Sequence, residues 1–264
     1  MQSKEKKQQH IRRMKSIPLR SVEDTAPLPE TAEHWAITTT TPPSFTTSKE
    51  TANAFFARYR RIACEDRHLT LIAPAPLPEA SQSWGLRHLL ASTAQLRGWF
   101  TAALRLSAIC KISLLLPQPS LAGDLQAAKM LLEETMLSLS HNRTDYDDLM
   151  SIGVTLSTPG ALLDAATLCE EADFAVIDTD TLLRLTLAAE PGTPLLEELL
   201  SHGGNALWRL LEAGIELLHR IGRFVAVSGR LADDLLFEEM LISVGADAVL
   251  TRPQPHRCST AFLI

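Results

Sequence analysis

Cysteine is sparse. Cys64, Cys110, Cys169 and Cys258 are the only four in 264 residues, they stand far apart, and no C-x-x-C pair occurs. That spacing offers no zinc framework. With no secretory apolar segment at the N-terminus, it reads as a reduced, cytoplasmic protein. There is no run of about 18 apolar residues, so nothing is expected to span a membrane. Several catalytic signatures are missing too. No G-x-G-x-x-G opens a dinucleotide site, the eight histidines form no H-x-x-x-H or H-E-x-x-H, and there is no G-x-S-x-G elbow. His34, His88, His219 and His256 therefore read as surface or satisfied core residues, and Cys110 and Cys169 as small buried hydrophobes. No internal repeat is found, and the only low-complexity stretch is the threonine run Thr38 to Thr41.

What is present points to one large core. Hydrophobic residues make up 45% of the chain and charged residues 21%, and about 250 residues is the usual size of one α/β barrel. Net charge is −6, unevenly spread. The first 20 residues hold seven Lys/Arg and one Asp/Glu, leaving eighteen against thirty in the rest. An acidic body argues against nucleic acid as a partner, except through the basic tail. Residues 1–30 are basic or proline-interrupted and are expected to form a flexible tail or linker, with residues 31–264 as the folded domain.

Along that domain, short apolar strands alternate with amphipathic helices. Strands are expected at His34–Ile37, His68–Ala73, Lys111–Leu116, Ser151–Leu156, Phe174–Ile177, Phe224–Val227 and Ala246–Leu250, with a weak eighth near Trp84. Helices are expected at Ser48–Cys64, within Trp84–Leu106, and at Ser120–Leu139, Ala161–Glu171, Pro194–Arg220 and Leu231–Val244, with a break near Gly203-Gly204. Alternation of this kind means βαβ units and a parallel sheet. Eight strands favour a closed (β/α)8 barrel, an α/β TIM barrel, over an open doubly wound sheet. In such barrels chemistry is done at the carboxyl ends of the strands. The Leu195–Leu211 stripe reads as core or dimer face.

The stretch Glu171 to Glu190, EADFAVIDTDTLLRLTLAAE, carries a family resemblance. It is similar to DFFSIGTNDLTQYTLAVDR, the signature of the phosphoenolpyruvate (PEP)-utilising barrel of phosphotransferase-system enzyme I, PEP synthase and pyruvate phosphate dikinase. The frame is kept at Asp173, Phe174, Ile177, Thr179, Leu182, Thr186, Leu187 and Ala188. Further matches extend from about Ala32 to Arg257. Ser151 to Ala161 resembles I-G-x-M-x-E-x-P-A-A. Ala226 to Arg230, with Ala232 and Asp233, resembles M-C-G-E-x-A-G-D.

The resemblance implies a PEP/pyruvate-binding barrel, Mg²⁺ held by two carboxylates, arginines around the phosphate, a cysteine that protonates the enol carbon, and dimerisation. The family's site residues are altered here. Its glutamate ligand falls at Ser157 and its aspartate ligand at Thr181. The acid cysteine falls at Ser228, and the glutamate after it at Arg230. The first R-T-E motif falls within Thr38 to Thr41, and a second arginine near Ile72 or Ala73. Two neutral hydroxyls cannot replace the charge of two carboxylates on a hard cation, so no cofactor is expected. Arg87, Asp180 and Arg230 remain as ligand-binding candidates. The family's phosphorylated histidine belongs to a separate domain that this chain does not contain.

The expectation is therefore an enzyme I-like barrel, catalytically degenerate, that acts by binding a protein. That protein would be a second copy of the chain or a component of the sugar phosphotransferase system. One alternative is an active PEP- or pyruvate-handling enzyme with a site rearranged around Asp180, Arg87, Arg230 and Ser228. A more distant one is a lyase of the citrate lyase β or aldolase type.

Overall fold

The computed structural model describes residues 15–21, 33–38, 48–63, 67–74, 85–189, 193–201 and 205–252. Eight parallel strands close into one barrel in chain order. They are β1 (Lys15–Ser21), β2 (His34–Thr38), β3 (His68–Ile72), β4 (Lys111–Leu116), β5 (Ser151–Leu156), β6 (Phe174–Asp178), β7 (Phe224–Ser228) and β8 (Ala248–Thr251). The helices lie between them. They are α1 (Ser48–Tyr59), α2 (Gly85–Ala91), α3 (Thr93–Ser107), α4 (Ala122–His141), α5 (Pro159–Leu163), α6 (Ala165–Leu168), α7 (Thr179–Leu187), α8 (Pro194–Ser201), α9 (Asn205–Arg220), α10 (Arg230–Asp233) and α11 (Glu238–Ser243).

The strands are apolar throughout because both their faces are buried. In β6, Val176 points into the barrel, while Ala175 and Ile177 face the helices. The barrel interior is filled by Ile17, Ala36, Leu115, Val176, Ala226, Ala248 and Leu250. A larger layer joins the outer strand faces to the helices, with Trp99, Phe100, Leu104, Leu156, Leu211 and Ile215 among its members. Gly98 lets α3 lie close against α1, because a Cβ there would sit 2.6 Å from the Thr51 side chain. Behind that contact the Trp99 indole N–H donates to the Tyr59 hydroxyl at 2.8 Å. The pair is buried, so neither polar group is left unmatched.

The first strand corrects the sequence reading. β1 lies inside the stretch expected to be a tail, and it pairs with β8 on one side (Ile17↔Leu250) and β2 on the other (Leu19↔Ala36). Its apolar positions, Ile17 and Leu19, alternate as a strand requires. They were hidden by basic neighbours and by Pro18, which reads as a breaker. Residues 1–14 and 22–30 of the expected tail lie outside the described residues. His34–Ile37 is therefore the second strand of the barrel and not the first. The count of eight is met by β1 and not by a strand near Trp84, since Gly85 already opens a helix.

Two helices are also shorter than their periodicity suggests. The segment after β5 breaks at Asp164 into α5 and α6. The one after β7 breaks at Asp234, which turns extended and whose carboxylate takes the Leu236 N–H. At Asp234 the short acidic side chain competes with the helical backbone; at Asp164 the side chain makes no capping hydrogen bond.

Acidic residues before two strands hold the bottom of the barrel. Asp173 accepts the Ile152 N–H at 2.7 Å, and Asp247 accepts the Val225 N–H at 2.9 Å. His34 and His68 stack at this end, with ring centroids 4.0 Å apart. Their Nε2 atoms are hydrogen-bonded to Thr70 and Ser113 at 2.8 and 2.7 Å. Burial, with Lys111 adding to it, pushes the His68 pKa down from 6.5 to about 4. The folded chain therefore favours the neutral ring. That contribution is complete above the unfolded value and is lost as pH falls from about 6.5 towards 4. Solvent screening of this half-exposed ring limits it to about 1–2 kcal/mol. His68→Gln is expected to narrow the gap in urea midpoint between about pH 7.5 and about pH 4. An unchanged gap would show that the ring does not carry this acid sensitivity.

Candidate functional site

At the opposite end, the carboxyl ends of the strands surround a cavity of about 440 Å³. Its floor is apolar, with Leu19, Ile72, Leu115, Val176 and Leu250, and its wall is rich in hydroxyls from Thr38, Thr155, Ser157, Thr158, Thr181 and Ser228. Ser157, Thr181 and Ser228, the positions at which the resemblance expects two carboxylates and a thiol, thus line one space, together with Thr38, Ile72 and Ala73.

Each is held by local chemistry. Ser157 follows β5, and its backbone N–H donates to the Gln118 side-chain oxygen at 2.8 Å. The Gln118 amide also donates to Thr158 at 3.2 Å, so a residue after β4 aligns the end of β5. Thr181 lies in the first turn of α7 and donates its hydroxyl to Asp178 at 2.8 Å. Ser228 ends β7, and its carbonyl accepts the buried Thr179 hydroxyl at 2.6 Å. Gly229 follows with φ of 88°, and a Cβ there would lie 2.7 Å from the Thr179 hydroxyl oxygen. Only glycine meets both demands.

The other sequence candidates lie elsewhere. The Arg87 guanidinium donates to Asp124 at 3.0 Å, and the other Asp124 oxygen accepts the Ser120 and Leu121 N–H groups. Arg87 thus secures the start of α4. Burial opposes ionisation of Asp124, but the backbone N–H donors and Arg87 outweigh it and hold its pKa below the usual carboxylate value. Asp180 and Arg230 are brought together, the Arg230 N–H donating to the Asp180 carboxylate at 2.7 Å. Neither they nor Arg87 is among the residues lining the cavity. Nearby, Arg252 pairs with Asp233 at 2.7 Å.

Two lining residues were not singled out as site residues from sequence. Arg184 projects from α7, and Asp178 ends β6. Asp178 stands where the family signature has glycine, and that replacement was the available signal. Its carboxylate caps α7 by accepting the Asp180 N–H at 3.2 Å. Burial raises its pKa; the Thr181 hydroxyl works against that shift, and the Asp180 charge adds to it.

This donor set does not suit Mg²⁺. The two expected ligand positions offer only hydroxyls, and the Thr181 hydroxyl is already engaged. Among the described residues, no group of three or more His, Cys, Asp or Glu could hold a metal ion. Hard divalent cations take several oxygen ligands, with charge supplied by carboxylates. Cys110 and Cys169 are both buried. Burial pushes the Cys169 thiol up to about 12, so it is no nucleophile at neutral pH. Among the described residues, no helix is long and apolar enough to cross a membrane.

The closed barrel with its site at the strand ends defines the class. The profile of the PEP-utilising enzyme, PEP-binding domain family matches residues 83–255, and the chain belongs to that family. It is 29% identical over 146 residues to a phosphoenolpyruvate-protein phosphotransferase of Buchnera aphidicola subsp. Acyrthosiphon pisum, which covers 55% of this chain and 26% of the relative. The proteins of the same name from Haemophilus influenzae and Staphylococcus aureus are 29% and 26% identical, over 58% and 61% of this chain. The Haemophilus match covers 26% of that relative and the Staphylococcus match 28%, so the chain spans about a quarter of their length. An HpcH/HpaI aldolase from Desulfitobacterium hafniense DCB-2 shares the fold at a TM-score of 0.51, with 10% identity over 90% of this chain and 86% of that one.

Proposed function

We propose that this chain is an enzyme I-like PEP-binding barrel that no longer transfers phosphate. It acts by binding protein, in a regulatory role linked to the sugar phosphotransferase system, in the cytoplasm and as a homodimer. One observation carries this reading. Ser157, Thr181 and Ser228 line the same cavity, at the positions where the family resemblance calls for a carboxylate, a second carboxylate and a thiol. A hydroxyl gives a divalent cation little electrostatic hold. A serine without an adjacent base is too weak an acid to protonate an enol carbon.

Calorimetric titration of PEP with and without Mg²⁺ tests the reading. The expected result is no metal-dependent binding and no pyruvate formation. Binding near 1 μM, on the order expected of a working site, would overturn it. Pyruvate formation that Asp180→Ala abolishes would instead support the alternative of an active site rearranged around Asp180, Arg87, Arg230 and Ser228.

A further inference from the structure

Asp178 is a carboxylate at the wall of an apolar-floored cavity, at a position where the family signature carries no side chain. Its oxygens accept the Asp180 N–H and the Thr181 hydroxyl, and the Thr181 N–H also acts on the carboxylate. An ionised carboxylate accepts about four hydrogen bonds, so capacity remains on the cavity side.

The charges acting on it leave it uncompensated. Among the described residues its surroundings supply burial, a hydroxyl, two backbone N–H groups and the repulsion of Asp180, with no arginine or lysine acting on it. Of the nearby cations, Arg252 is drawn to Asp233 and Asp180, and Arg184 lines the same cavity without contributing to the Asp178 charge balance. A partly buried negative charge of this kind is stabilised by an opposite charge brought beside it.

The size and lining of the cavity narrow the choice. A volume of about 440 Å³ suits a small molecule. The floor of Leu19, Ile72, Leu115, Val176 and Leu250 suits a short apolar body. The donor set is too poor for a divalent metal. A second anion would meet the Asp178 charge.

We propose that the mouth of this barrel binds a small organic ammonium ion, with its aliphatic body on the apolar floor and Asp178 as its counter-ion. This rests on the reading that the mouth no longer handles PEP. Plain amines and amino acids share the ammonium group. Arg184 also lines the cavity, and the amino-acid arm of the test below reads whether a carboxylate beside the ammonium adds affinity.

The test uses the full chain and n-butylamine, with n-butanol and butyrate as uncharged and anionic controls and norvaline as the amino-acid arm. Binding is read from the methyl resonances of Leu115, Val176 and Leu250 by two-dimensional NMR. n-Butylamine or norvaline is expected to shift these methyls, with affinity at least about tenfold above n-butanol. The affinity should fall as pH is lowered and Asp178 takes up its proton. Asp178→Asn keeps a side chain able to cap α7 and should weaken amine binding by about tenfold or more. If that variant does not fold, the pH profile of the unaltered chain decides, since a buried carboxylate partner makes it steep and a purely apolar site leaves it flat. Norvaline binding more tightly than n-butylamine assigns the amino acid, and the reverse assigns the amine. Equal affinity for n-butanol, an unchanged Asp178→Asn, or shifts confined to other methyls would overturn the proposal. Metal-dependent PEP binding is scored separately and would overturn the preceding reading instead.

Discussion

Gly85→Ala is expected to cost about 3 kcal/mol or more, the sum of left-handed backbone strain and a collision with main chain. Gly85 has φ of 64°, and a Cβ would lie 2.2 Å from the Gln118 carbonyl oxygen. That carbonyl already accepts the Leu86 N–H at 2.9 Å, so it cannot retreat without breaking the entry to α2. The Gln118 side chain in turn holds the Ser157 N–H and Thr158. Damage at Gly85 should therefore reach the cavity wall. Thermal unfolding should show a loss of about 6–12 °C, taking about 2–4 °C per kcal/mol for a chain of this size. A loss below about 2 °C would mean that the β4 end yields easily and does not brace the mouth.

A second large effect is expected from restoring charge. The double substitution Ser157→Glu with Thr181→Asp puts carboxylates back at two places on one cavity. Mn²⁺ binding, which the proposed reading expects to be absent in the parent, should appear with a dissociation constant on the order of 1 mM or below. It should strengthen as pH rises, because the new aspartate lies beside Asp178 and like charges hold protons until the cation relieves them. PEP turnover should stay absent, since Ser228 still replaces the thiol. A folded double variant that binds no Mn²⁺ would overturn the proposal that missing carboxylates keep a metal from this mouth.

The sequence conveyed the barrel through its rhythm. Apolar runs such as Lys111–Leu116 and Phe174–Ile177 could only be strands buried on both faces, and each is one. β1 was missed because lysine, arginine and Pro18 surround its two inward residues. A strand seen alone is weak evidence when its partners, β2 and β8, lie far away in sequence. Three of the mouth's hydroxyl residues, Ser157, Thr181 and Ser228, were legible as positions in a motif, and all three line one cavity. Asp178 was legible only as the end of a strand. Its role depends on the cavity beside it, and no local pattern encodes a cavity. Arg87 shows the converse: a helix-start arginine is ambiguous until its partner, Asp124, is seen 37 positions along the chain.

β1 has a last consequence. It is the stave that closes the ring, hydrogen-bonded to β8 on one side and β2 on the other. A chain begun after it would keep seven strands but leave the facing margins of β2 and β8 bare, each a row of unmet amide and carbonyl groups inviting pairing with another molecule. The few residues that look most dispensable are what keep this barrel from becoming a self-adhesive sheet.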